Sequence, residues 1–114
     1  MKLKGKVVLI TGSTRGIGKD FAIGFAKEGA DVIINGRNME KARAVTKEIE
    51  SLSARSLAIA ADVSLSQDVA RMVDEAVNSF GRIDILVNNA GATLSSWRQK
   101  RLKKKVGIRC WMLI

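Results

Sequence analysis

Three glycines, Gly12, Gly16 and Gly18, stand at the spacing G-x-x-x-G-x-G within Thr11-Gly12-Ser13-Thr14-Arg15-Gly16-Ile17-Gly18. A short apolar, β-branched run, Lys6–Ile10, leads into them, and a helix-forming stretch follows. Gly12 allows the chain to turn sharply out of a strand. Gly16 lets backbone approach a pyrophosphate with no Cβ in the way, and Gly18 allows close packing of helix on strand. A helix beginning here offers free N–H groups and the positive end of its dipole to phosphate. Glycines alone would only make a tight turn; the strand before and the helix after give this run its chemical meaning.

The elements that must hold this turn alternate from the start. The first helix runs to about Glu28, where Gly29 is suited to stop it. Asp31–Asn35 reads as a second strand, and Asn38 as the N-cap of a helix with Ala42, Val45, Ile49 and Leu52 on one face. Ser56–Ala61 reads as a third strand. Ser64 and Gln67 fit a capping box ahead of a stripe formed by Val69, Met72, Val73, Ala76, Val77 and Phe80. Ile83–Val87 is a fourth strand. Strands alternating with helices in this way predict a parallel sheet, doubly wound, with helices on both faces.

Three landmarks now stand at the ends of strands: T-G-x-x-x-G-x-G after the first, Asp62-Val63 after the third, and Asn88-Asn89-Ala90-Gly91 after the fourth. Their order and placement resemble the short-chain dehydrogenase/reductase family, over roughly residues 4–92. The resemblance implies an α/β, Rossmann-type doubly wound parallel sheet, here incomplete, with strands in the order 3-2-1-4. It implies a dinucleotide-binding half of an NAD(P)-dependent oxidoreductase acting on carbonyls or alcohols, similar to 3-oxoacyl carrier-protein reductases and their sugar or alcohol dehydrogenase relatives. By the same resemblance the cofactor would meet Gly12, Ser13, Thr14, Arg15, Gly16, Ile17 and Gly18 at the turn, and Asp62 and Val63 at its adenine. Asn89, Ala90 and Gly91 would line the adenosine ribose side, while Asn88 would brace the sheet centre. Full-length relatives are expected to be homo-oligomers, and the substrate is not specified by this half.

The end of the second strand reads Asn35-Gly36-Arg37. An acid there would bind a ribose 2′-OH and repel a 2′-phosphate. None is present; Arg37 offers a fork of donors to a phosphate instead, and Arg15 adds a second positive charge. A solvated surface is the commoner fate of one arginine. Two, at both expected places, favour NADP(H) over NAD(H).

The family's chemistry uses a tyrosine with a lysine four residues on, assisted by a serine and an asparagine. This chain contains no tyrosine. Ser95 and Ser96 cannot be given the serine's role, so no residue is assigned a catalytic one, and the chain is expected to be a truncated form, inactive alone.

Every acid lies before residue 93, which leaves the seven Lys and Arg of residues 93–114 unopposed within a total charge of +9. The basicity is therefore a property of the tail and makes nucleic acid an unfavoured partner. Its alternative reading is a basic amphipathic segment that meets nucleic acid or anionic lipid. A bland reading is a shifted reading frame. The codons permitted before and within Val106–Ile114, read from their third base, allow Glu-Glu-x-Trp-Asp-Lys-Val-Leu-Asp-Val-Asn, which resembles the family's fourth helix. On that reading the tail is poorly ordered, and the fourth strand, left at an edge, can self-associate with other chains. One cysteine and no histidine exclude an intramolecular disulfide and a Cys/His zinc site. No apolar run reaches membrane-spanning length. These features, with no signal-peptide pattern, lead to the expectation of a cytoplasmic protein.

Overall fold

The alternation becomes eight elements in a computed structural model that describes residues 2–89 and 107–113. They are β1 (Val7–Ile10), α1 (Gly16–Lys27), β2 (Asp31–Gly36), α2 (Met39–Glu50), β3 (Ser56–Ala60), α3 (Ser66–Phe80), β4 (Ile85–Asn88) and β5 (Cys110–Leu113). The strands form one sheet in the order β3-β2-β1-β4-β5. All pairs are parallel, with Val7 beside Asp31, Val8 beside Ile85, and Val32 beside Ser56.

The period of two along β1 divides the core between the two faces. Val7 and Leu9 face α3, where Val69, Met72, Val73 and Ala76 pack on Ile33, Ile59 and Leu86. Val8 and Ile10 face the other side, where Ala22 and Ala26 of α1 and Ala42, Val45 and Ile49 of α2 cover Val32, Ile34 and Val87. Small residues on α1 let that helix lie close to the sheet. Each fully buried Ile or Leu contributes about 1.5–3 kcal/mol, so two filled faces, rather than helix propensity, hold the layers together. Among the described residues no helix is long and apolar enough to cross a membrane.

Local signals explain most element ends. Asn38 caps α2 by accepting the Lys41 N–H at 3.1 Å, and Gly29 leaves α1 at φ +92°. The capping box at Ser64 does not form. The N-cap of α3 is Leu65, without a side-chain cap, and Ser64 turns back to Asp62 instead. Leu52 lies beyond the end of α2 and is exposed, so only Ala42, Val45 and Ile49 of its expected stripe are buried.

The four expected strands stand in the order 3-2-1-4, but β4 is not at an edge. Cys110–Leu113 lies parallel to it, with Ile85 beside Cys110 and Asn88 beside Leu113. The Arg109 N–H donates to the Asp84 carbonyl at 3.0 Å, and Ile108 is buried in the α3-side core. The physical reason is that an open β4 would leave a row of backbone groups unpaired. The apolar end of the chain supplies a partner for them. The basic run at 98–105 lies outside the described residues.

Candidate dinucleotide-binding cleft

β1 ends at a turn held from three sides. The Thr11 N–H donates to the Val87 carbonyl at 3.0 Å, and the Thr11 hydroxyl accepts the Asn89 N–H at 3.0 Å. Asn89 Nδ2 donates to the Gly12 carbonyl at 3.1 Å. Ser13 Oγ donates to the Ile10 carbonyl at 2.8 Å and accepts the Asn35 N–H at 3.0 Å. Asn35 Oδ1 accepts the Gly12 N–H at 3.2 Å. The turn is thus tied to β2 and β4 before any ligand is considered.

Two of the glycines are required by backbone geometry. Gly12 and Gly16 have φ of +62° and +61°, the left-handed region that favours glycine. Gly18 is required by space: a Cβ there would collide with Asn89 Nδ2 and lie 2.5 Å from the Gly12 carbonyl oxygen. Its close neighbours are the turn and the end of β4 rather than the body of a strand. Helix α1 starts at Gly16 with no acid in its first turn and no side-chain cap. Its N-terminal N–H groups therefore face no competing carboxylate, which suits an incoming phosphate.

The turn opens on a cleft of about 650 Å³ at the C-terminal ends of the strands, a volume ordinary for a cofactor site. Three cations, Arg15, Arg37 and Lys41, line it. No carboxylate stands at the end of β2, where Asn35 is buried and Gly36 lines the wall. Asp62, Val63 and Ser64 line the same cleft. Asp62 Oδ1 accepts both the Ser64 hydroxyl at 2.6 Å and the Ser64 N–H at 3.0 Å. Those bonds hold the Asp62 carboxyl below the usual carboxylate range, with the Arg37 charge adding to them. The Asp62 N–H is itself held by Asp68 Oδ2 at 2.8 Å.

Gly12, Thr14, Arg15, Gly16, Arg37, Asp62, Val63 and Asn89 line this one cleft. Ser13, Ile17 and Gly18 do not. Ser13 is buried behind the turn, Gly18 beneath it, and Ile17 is exposed. Ala90 and Gly91 lie outside the described residues. Asn88 is buried with its Oδ1 toward the Thr11 hydroxyl at 3.3 Å, at the sheet centre. Of the other lining residues, Asn35 and Gly36 enter from sequence only as the strand end that lacks an acid and Ser64 only as a helix cap, while Lys41 is not singled out. A basic residue four places after Arg37 was a usable signal for Lys41; the others depend on contacts between distant strands.

The residues fit a dinucleotide: a glycine turn with open backbone, an uncapped helix start, and basic and polar side chains lining one groove. Comparison with known proteins agrees. The family model described as short chain dehydrogenase matches residues 6–109. The chain is 48% identical over 90 residues to the hydroxynaphthalene reductase-like protein Arp2 of Metarhizium acridum, covering 78% of this chain and 34% of that protein. It therefore spans about a third of the length of that curated relative. A metagenomic short-chain oxidoreductase solved in complex with NADP superposes with a TM-score of 0.77 at 38% identity, over 81% of this chain and 42% of that one. A xylitol dehydrogenase bound to NAD+ superposes with a TM-score of 0.78 at 33% identity, over 81% and 35%. Relatives of this fold thus hold either cofactor, and the chain belongs to the short-chain dehydrogenase/reductase family.

Proposed function

We propose that this chain is the dinucleotide-binding part of an oxidoreductase that moves hydride between a nicotinamide cofactor and a carbonyl or alcohol, and that it takes NADP(H) in preference to NAD(H). The observation that carries the preference is the ribose end of the cleft. Gly36 stands where a selecting carboxylate would be, and Arg15, Arg37 and Lys41 line the same cleft. A 2′-phosphate placed there meets three cations, one able to pair as a planar fork. The relatives solved with NADP and with NAD+ support the cofactor class and leave the choice to these side chains.

The bound nicotinamide would supply the hydride. The chain's own residues do the binding. The α1 start and the Gly12–Gly16 backbone receive the pyrophosphate, Asp62 and Val63 border the adenine, and Asn89 ties the β4 end to the turn. No phenol is available as a proton donor, because none of the 114 residues is tyrosine. Purified chain is therefore expected to bind cofactor without turning over carbonyl substrates.

Calorimetric titration with NADPH and NADH tests this reading. NADPH should bind more tightly, and Arg37→Ala should shrink the gap by about ten-fold, ~1.4 kcal/mol. Equal affinities in the unaltered chain would overturn the preference.

A further inference from the structure

We propose that Thr14 and Gly36 act as a pair that fixes cofactor choice: the Thr14 methyl group bars any β-carbon at position 36, and with it the carboxylate that would select an unphosphorylated ribose. The inference rests on the reading of the cleft as a dinucleotide site and adds a steric rule to its charge argument.

Gly36 is the last residue of β2, beside Ala60 of β3, and lines the cleft. Its backbone is not in the left-handed region, so conformation does not demand glycine. Space does. A Cβ on Gly36 would stand 2.5 Å from Thr14 Cγ2, 3.4 Å from Thr14 Oγ1 and 3.5 Å from Thr14 Cβ. Carbon atoms in good contact stand about 3.5–4.0 Å apart, so the methyl overlaps the site of the missing Cβ by about 1 Å.

The backbones on both sides of this contact are held, so relief would have to come from turning the Thr14 side chain. Thr14 is β-branched and restricted at χ1. Its neighbour Ser13 is tied to β2 twice, with the Ser13 N–H on the Asn35 carbonyl at 2.9 Å and the Asn35 N–H on Ser13 Oγ at 3.0 Å. The Gly36 carbonyl is held by the Ala61 N–H at 3.0 Å. The two segments are thus clamped together one residue away from the point of collision. Arg37 attracts a phosphate, whereas the Thr14–Gly36 contact keeps out the residue that would reject it. Specificity built in this way combines attraction with exclusion.

It follows that Gly36→Asp alone cannot convert the cleft to NADH. Thr14→Ala must accompany it, because then the nearest remaining Thr14-derived atom is the β-carbon, at an ordinary contact distance of 3.5 Å.

The test compares four chains of residues 1–114, unaltered, Thr14→Ala, Gly36→Asp and the double variant, each titrated calorimetrically with NADPH and with NADH. A second arm follows thermal unfolding of Gly36→Ala with and without Thr14→Ala. Gly36→Asp should weaken both cofactors, and adding Thr14→Ala should raise NADH affinity by about ten-fold or more while NADPH stays weak. Gly36→Ala should lower the melting temperature, and Thr14→Ala should recover most of that loss. NADH binding by Gly36→Asp equal to that of the double variant would overturn the proposal. So would a Gly36→Ala penalty that is the same in both backgrounds. Should the unaltered chain bind both cofactors equally, the preference proposed above falls, while the need for Thr14→Ala still decides the pair. Should no chain bind either cofactor, the cleft reading falls and takes the specificity role with it.

Discussion

Asn35 holds Gly12 in its turn: Asn35 Oδ1 accepts the Gly12 N–H at 3.2 Å, while Nδ2 donates to the Ile59 and Ala61 carbonyls at 3.2 and 3.3 Å. One buried amide therefore joins the glycine turn to the end of β3 through β2. Replacing Asn35 by Ala would strip partners from one N–H and two carbonyls. Leaving a buried polar group unsatisfied costs about 1–3 kcal/mol, and relaxation recovers part of the sum. Asn35→Ala is expected to lose about 3 kcal/mol, read as a lower guanidinium midpoint with an unchanged slope. Both NADPH and NADH should weaken together, unlike the selective effect of Arg37→Ala. A midpoint equal to that of the unaltered chain would show that the amide does not hold the turn.

Ile108 reaches the α3-side core from outside the β1–β4 unit and is 3% exposed. Truncating a buried isoleucine to alanine typically costs about 2–5 kcal/mol. Ile108→Ala should therefore shift the unfolding midpoint by an amount in that range. No shift would mean that the segment leading into β5 does not pack on the sheet.

The Asp62 carboxyl is held low first by the Ser64 hydroxyl, then by the Ser64 N–H, with Arg37 contributing. A carboxyl lowered in the folded chain stabilises it above the unfolded value of about 3.9. That stabilisation is lost as pH falls through the folded value. Carboxylate NMR titration should place Asp62 below the ordinary range. Ser64→Ala should move it upward, and Arg37→Ala should move it upward by less. An Asp62 that titrates unchanged in Ser64→Ala would contradict the hydrogen-bond account.

Much of this fold is written locally. The spacing of Gly12, Gly16 and Gly18, the apolar run of β1 and the Asn38 cap are read within a few residues, because turns, strands and caps are short-range physics. The positions that escaped are long-range. Asn35 reads as a polar strand end until β1, β2 and β3 converge on it. Gly36 reads only as the strand end that lacks an acid until Thr14 is seen against it. Ser64 fits a capping box, yet α3 begins one residue later with Leu65 at its N-cap, and the Ser64 hydroxyl and N–H both donate to Asp62. The end of the chain reads as a basic tail because lysines dominate it, and only the unpaired edge of β4 gives Cys110–Leu113 a place in the sheet.

A dinucleotide bound as proposed would lie across the glycine turn with its adenine beside Asp62 and Val63. Amide-resolved NMR of the labelled chain titrated with NADPH tests it most directly. The account predicts saturable shifts at Gly12, Thr14, Arg15 and Gly16, together with Arg37 and Asp62–Ser64, and little change along the outer face of α2. Shifts that are absent, or that gather on residues away from this cleft, would contradict it.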